Sequence, residues 1–153
     1  MNFQIEQIQH MIFVIRGEKV MLDSDLSSLY GIQTKVFNQA VKRNLRRFPE
    51  DFMFQLSHEE FDSLRSQSVT SNLGRGGRRH QPLVFTENGI AMLSSVLNSD
   101  VAIDINISII RIFTKLRRFR LLEKELHNRM NKLESDTSEV FKIVFEKLDN
   151  LDE

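Results

Sequence analysis

The chain contains no cysteine and no tryptophan, only two prolines in 153 residues, and no long apolar run. Without cysteine there is no disulfide framework and no thiolate metal site, so stability must come from packing and association. The apolar stretch at residues 11–15 is too short to cross a bilayer, and the first ten residues lack the pattern of a secretion signal. A cytoplasmic protein without membrane contact is expected. Histidine is sparse as well, and His10, His58, His80 and His127 show no ligand spacing, so neither a metal nor another cofactor is expected. Gly-x-Ser-x-Gly and the phosphate-loop pattern Gly-x-x-x-x-Gly-Lys-Ser/Thr are both missing. The carboxylate pairs Asp23/Asp25 and Glu59/Glu60 fall at helix starts, where they satisfy free amides and the helix dipole. No catalytic residue is assigned, and the expectation is a protein that is not an enzyme.

Charge is present in quantity, but unevenly. Residues 1–120 hold 16 Lys+Arg against 12 Asp+Glu, a net of +4, and residues 121–153 hold 5 against 9, a net of −4. Three stretches of the basic part contain no carboxylate: Lys35 to Arg47, Arg65 to Arg79, and Arg111 to Arg120. Ordinary solvated faces mix both signs, so such stretches point to a polyanionic partner.

Residues 11–16 read as a buried strand, Gly17 and Glu18 as a tight turn, and residues 19–22 as the partner strand of a hairpin. Asp23 or Ser24 caps a short helix with Leu26, Leu29 and Tyr30 on one face, and Gly31 stops it. Thr34 then caps a second helix, expected over 34–47, with Val36, Phe37, Ala40, Val41 and Leu45 inside and Pro49 closing it. A strand over 52–56 follows, and Ser57 with Glu60 forms a capping-box signature. Residues 66–81 lose periodicity and read as a loop, after which a strand at 83–85 leads through Thr86 into a helix reaching Leu97. From about residue 101 to 133 the pattern is helical, about 45–50 Å of helix. Ser135 or Asp136 starts a last helix.

The helix, glycine turn and helix of residues 23–48 have the organisation of a helix-turn-helix, in which one helix buttresses another that presents long donors to base edges. Gln33, Thr34, Lys35, Asn38 and Gln39 lie near the start of the second helix, where insertion into a major groove is deepest. Asn and Gln match adenine and Lys matches guanine, at about 1–3 kcal/mol of discrimination per good pair. Lys42, Arg43, Arg46 and Arg47 lie further along, toward phosphates. Arg75, Arg78 and Arg79, in a glycine-rich loop, suit a wing that meets phosphates or a minor groove. The alternatives are a solvated basic helix face and an ordinary surface loop.

A seam with spacings of four and three runs through Ile112, Leu116, Phe119, Leu126, Met130 and Leu133, with Glu123 at one position, and Val140 and Val144 extend the apolar tail. These residues are candidates for homodimerisation, since a two-fold pair matches a two-fold operator.

The runs Ile15-Arg-Gly-Glu-Lys-Val-Met-Leu-Asp-Ser-Asp-Leu26, Leu29-Tyr-Gly-Ile32, Val41-Lys-Arg-Asn-Leu-Arg-Arg-Phe-Pro-Glu-Asp-Phe-Met-Phe-Gln-Leu56, Gly76-Gly-Arg-Arg79 and Phe85-Thr-Glu-Asn-Gly-Ile-Ala-Met-Leu-Ser-Ser-Val-Leu97 resemble the ORF-six N-terminal domain of phage antirepressor-type and prophage proteins, related to the KilA N-terminal domain. The resemblance implies DNA binding in phage or mobile-element regulation. It places Lys42, Arg43, Asn44, Arg46 and Arg47 on the family's basic motif, and Arg78 and Arg79 on its glycine–arginine motif. The resulting expectation is an α+β, winged-helix-like DNA-binding domain over 1–120 with a helical, coiled-coil-like dimerisation tail over 121–153. Such a protein would be a sequence-specific transcriptional regulator on double-stranded DNA. The alternative is an antirepressor-type module that captures a repressor or another protein through its C-terminal helices.

Overall fold

A computed structural model describes residues 2–67 and 81–151. The chain is α+β: a four-stranded antiparallel sheet with helices, and a long C-terminal helix. It divides into two compact units, residues 1–113 and 114–153.

In the first unit, α1 (Asn2–His10) buries Ile8 and precedes the hairpin of β1 (Ile12–Ile15) and β2 (Glu18–Leu22). The hairpin turn is Arg16-Gly17, one residue earlier than the sequence suggested. Both turn residues have positive φ, 56° and 75°, and a two-residue turn of that kind follows the twist of its strands. Arginine tolerates this backbone because its side chain is held elsewhere. Its guanidinium donates two 2.9 Å hydrogen bonds to the Glu60 carboxylate and lies 4.3 Å from the Phe54 ring centre.

The sheet order is β1-β2-β4-β3, with β3 at Met53–Gln55 and β4 at Leu83–Thr86. Alternation along the strands gives the sheet two apolar faces. On one, Ile15, Val20, Leu22 and Val84 pack with Phe61 and Leu64 of α4 (His58–Gln67). The expected capping box opens α4: Ser57 N–H donates to Glu60 Oε1 at 2.8 Å, and Glu60 N–H donates to Ser57 Oγ at 3.1 Å.

On the opposite face, Phe85 sits at the centre, edge-on to Phe37 at 5.4 Å and Phe48 at 5.8 Å between ring centres. Helices α2 (Asp23–Tyr30), α3 (Thr34–Lys42) and α5 (Glu87–Leu93) supply further buried apolar groups to this unit. Thr86 caps α5 through Gly89 N–H. Gly89 itself is required by contact, because a Cβ there would lie 2.0 Å from the Phe52 carbonyl oxygen.

Helix α6 runs without interruption from Asp100 to Leu151, 52 residues. The break expected at Ser135 and Asp136 does not occur, and both residues are exposed on the continuous helix. Its first turns belong to the first unit, where Ala102, Ile105, Ile109, Ile112 and Phe113 are buried. Asn106 ties three helices, accepting from the Tyr30 hydroxyl and donating to Ser94 Oγ at 2.9 Å. Burial pushes the Tyr30 hydroxyl well above its ordinary pKa, so it remains a neutral donor. No helix among the described residues is long and apolar enough to cross a membrane.

Candidate nucleic-acid interface

Two short helices and the turn between them form the candidate interface. Helix α2 ends at Gly31, whose φ of 73° is a left-handed cap position favouring glycine, and Ile32 N–H reaches back to the Ser27 carbonyl at 3.0 Å. Gln33 is extended, and α3 starts at Thr34. The helices are then tied together through side chains. Ser27 Oγ and Thr34 Oγ1 lie 2.9 Å apart, and the Tyr30 and Phe37 rings stack at 6.0 Å.

The amphipathic pattern of α3 sets its orientation. Phe37 and Val41 are fully buried, and Ala40 is half-buried beside them. Lys35, Gln39 and Lys42 face solvent, together with Gln33 just before the helix and Arg43 at its end. Val36 and Leu45, expected on the inner stripe, are 48% and 55% exposed.

The second helix is also shorter than its expected span of 34–47. It stops at Lys42, and Leu45–Arg47 form a separate 3₁₀ turn. Asn44 explains the break, since its side-chain amide donates to the Ala40 carbonyl at 2.8 Å while its backbone leaves helical geometry at φ −128°, ψ 32°. Arg46 and Arg47 are therefore exposed on the turn, and Arg47 donates to Ser95 Oγ at 3.3 Å. Among the described residues, Lys35, Lys42, Arg43, Arg46 and Arg47 make no ion pair, whereas Arg16, His58, Arg65 and Arg129 each lie beside a carboxylate.

Two residues assigned to base contact by sequence have hydrogen-bond partners within the chain. Thr34 is engaged with Ser27. Asn38 is half-buried, and its amide donates at 3.1 Å to Asp23 Oδ2, a carboxylate that also accepts from Leu83 N–H at 3.3 Å and, through Oδ1, from Ser24 N–H at 2.7 Å. Asp23 is buried and fastens the start of α2 to α3 and β4. Nothing in the local pattern distinguishes an outward Asn38 from this one; only the tertiary approach of α2 does. Asn38 Oδ1 is buried without a hydrogen-bond partner among the described residues.

Arg75, Arg78 and Arg79 lie outside the described residues, as do His80 and all of the 66–81 loop except its ends. Among the described residues there is no cluster of three or more His, Cys, Asp or Glu side chains that could hold a metal. Of the tail residues assigned to dimerisation, Ile112 is buried in the first unit's core and so is unavailable to another chain. Leu116 is half-buried, whereas Phe119, Leu126, Met130, Leu133, Val140 and Val144 are exposed.

A family model, the ORF6N domain, matches residues 10–96, more than half of the chain. The matched segment runs from the last residue of α1 to just past α5 and includes every residue of α2, α3 and the 3₁₀ turn. No curated protein and no solved structure matches the chain.

Proposed function

The chain belongs to the ORF6N domain family, a phage antirepressor-type family, and from that premise we propose that it is a regulator that binds double-stranded DNA in a sequence-specific manner. Helices α2 and α3 act as a helix-turn-helix, with α3 entering the major groove. Gln33, Lys35 and Gln39 present donors to base edges. Lys42, Arg43, Arg46 and Arg47 neutralise phosphates flanking the groove, and Arg75, Arg78 and Arg79, assigned by sequence alone, add to that charge. Asn38 and Thr34 fix the angle of α3 and do not read bases.

The observation that carries this reading is the state of the cations. Five Lys and Arg side chains are exposed without an ion pair among the described residues, on a helix and turn anchored by the fully buried Phe37 and Val41. A solvated helix face with no partner has no physical need to keep carboxylates away over thirteen residues. The protein acts without catalysis or cofactor, in the cytoplasm, as a homodimer joined by its tail.

Selection of bound fragments from a pool of random duplexes tests binding and specificity together. A recurrent sequence is expected for the natural chain, and loss of recovery for Lys42→Ala/Arg43→Ala/Arg46→Ala. Equal recovery of the triple variant would refute the role given to α3 and its turn. A second reading is favoured by the exposed apolar side chains of the tail: capture of another regulator, as an antirepressor does. Under it, the triple variant leaves function intact and substitutions at Leu126 or Met130 abolish it.

A further inference from the structure

We propose that the tail pairs antiparallel with the tail of a second copy, along an apolar seam of eleven-residue period. The inference rests on the homodimer reading above and adds its geometry.

The period follows from which residues each register would bury. A strict seven-residue seam continued from Phe119 places Glu123 and Lys147 between the helices, and isolated charges there are costly. Spacings of three, four and four instead select Phe119, Leu122 and Leu126 in a first repeat, with Met130, Leu133 and Thr137 forming the second. A third repeat is Phe141, Val144 and Leu148, so only Thr137 is polar. Eleven residues over three turns is close to the natural helical repeat, so these positions stay within a stripe roughly 100° wide without strong supercoiling. The eight apolar members are between 46% and 67% exposed, an apolar surface that has no cover within the second unit.

Charge selects both the occupant and its direction. Residues 114–132 hold seven Lys+Arg against two Asp+Glu, a net of +5, whereas residues 133–151 hold two against five, a net of −3. A parallel pair would set like-charged halves side by side. An antiparallel pair centred at Leu133 and Glu134 sets each basic half against an acidic one. Arg118 then lies level with Asp149 of the second copy, and Glu125 level with its Lys142. In the same alignment Leu126 meets Phe141, and by two-fold symmetry Phe141 meets Leu126. The sequence is thus complementary to its own reverse, which a surface made for an unrelated protein has no reason to be.

Because the chain lacks cysteine, direction is testable with single introduced thiols in the full-length protein. Sedimentation is run first on the natural chain, and then Leu126→Cys and Phe141→Cys are oxidised separately and as a mixture. The expected result is a dimer whose covalent product forms in the mixture, several-fold above either variant alone. A Leu126→Cys homodimer would overturn the antiparallel arrangement while leaving tail pairing intact. A monomer at tens of micromolar would overturn both and assign the seam to a different protein. Spin labels at Leu121→Cys give an independent reading: roughly 35–40 Å apart for the antiparallel pair, and under about 15 Å for a parallel one, which would overturn it.

Discussion

The two units of this chain put comparable proportions of apolar residues, 48 of 113 and 14 of 40, to opposite ends. In residues 1–113, Leu, Ile, Val and Phe close on a sheet and disappear from solvent: Val20, Leu22, Phe37, Val84, Phe85 and Ile109 are fully buried. In residues 114–151, Phe119, Leu126, Met130, Leu133 and Leu151 remain mostly exposed on one uninterrupted helix. Periodicity alone does not distinguish them. A helix stripe becomes core only if the chain turns back to cover it, and α6 never turns. The first unit therefore encloses its own core, whereas the second leaves most of its apolar side chains exposed.

Truncation is the severest way to break that contrast. A chain ended after Leu97 loses Ala102, Ile105, Ile109 and Ile112 from the first core, so it is expected not to fold. A chain ended after Leu116 keeps them, and circular dichroism with thermal melting should show a cooperative transition. Next in size, Phe37→Ala removes a ring that touches both Tyr30 and Phe85. A loss of about 3–5 kcal/mol is expected in denaturant unfolding, against under about 0.5 kcal/mol for Lys42→Ala on the exposed side of the same helix. Substituting Leu126 and Met130 together by Glu should weaken self-association by on the order of 100-fold in sedimentation, about 2.7 kcal/mol, with the first unit's melting unchanged. An equal effect on both would mean that the units are not independent. Asn38→Ala should cost about 1–3 kcal/mol, because it removes one of the donors to the buried Asp23 carboxylate.

The smallest effect concerns pH. Two hydrogen bonds from Arg16, then the Ser57 cap, hold the Glu60 carboxyl down at about 2, below its ordinary 4.5. A depressed folded-state pKa adds stability that is full above the ordinary value and fades as pH falls from about 4.5 to about 2. Glu60→Gln should remove that acid-side leg from the stability profile of the first unit and leave tail association unaltered.

Where local chemistry decides, the structure was readable from the residues. The pairing of β1 with β2, the Gly31 stop, the Ser57–Glu60 cap and the Thr86 cap all rest on interactions within a few positions of chain. The misplaced features depend on more distant contacts or on a competition too close to resolve by pattern. Asn44 ends α3 early by bonding Ala40, and Asn38 turns to an aspartate fifteen residues away. Ser135 and Asp136 have the residue types of a cap, yet a helix already propagating through good formers needs no new start. At the interface, the outward placement of Lys35, Lys42 and Arg43 follows from helical period, because Phe37 and Val41 must face the sheet. The turn carrying Arg46 and Arg47 did not follow from it.

The salt dependence of binding to a selected duplex tests the central claim most directly. If Lys42, Arg43, Arg46 and Arg47 meet phosphates, log Kobs should fall linearly with log salt, with a slope of about −3.6 for each bound chain, or about 0.9 per contact. Lys42→Ala/Arg43→Ala/Arg46→Ala should flatten that slope by roughly 3. Affinity indifferent to salt, or a slope that the triple variant leaves unchanged, would contradict a duplex-facing role for this surface.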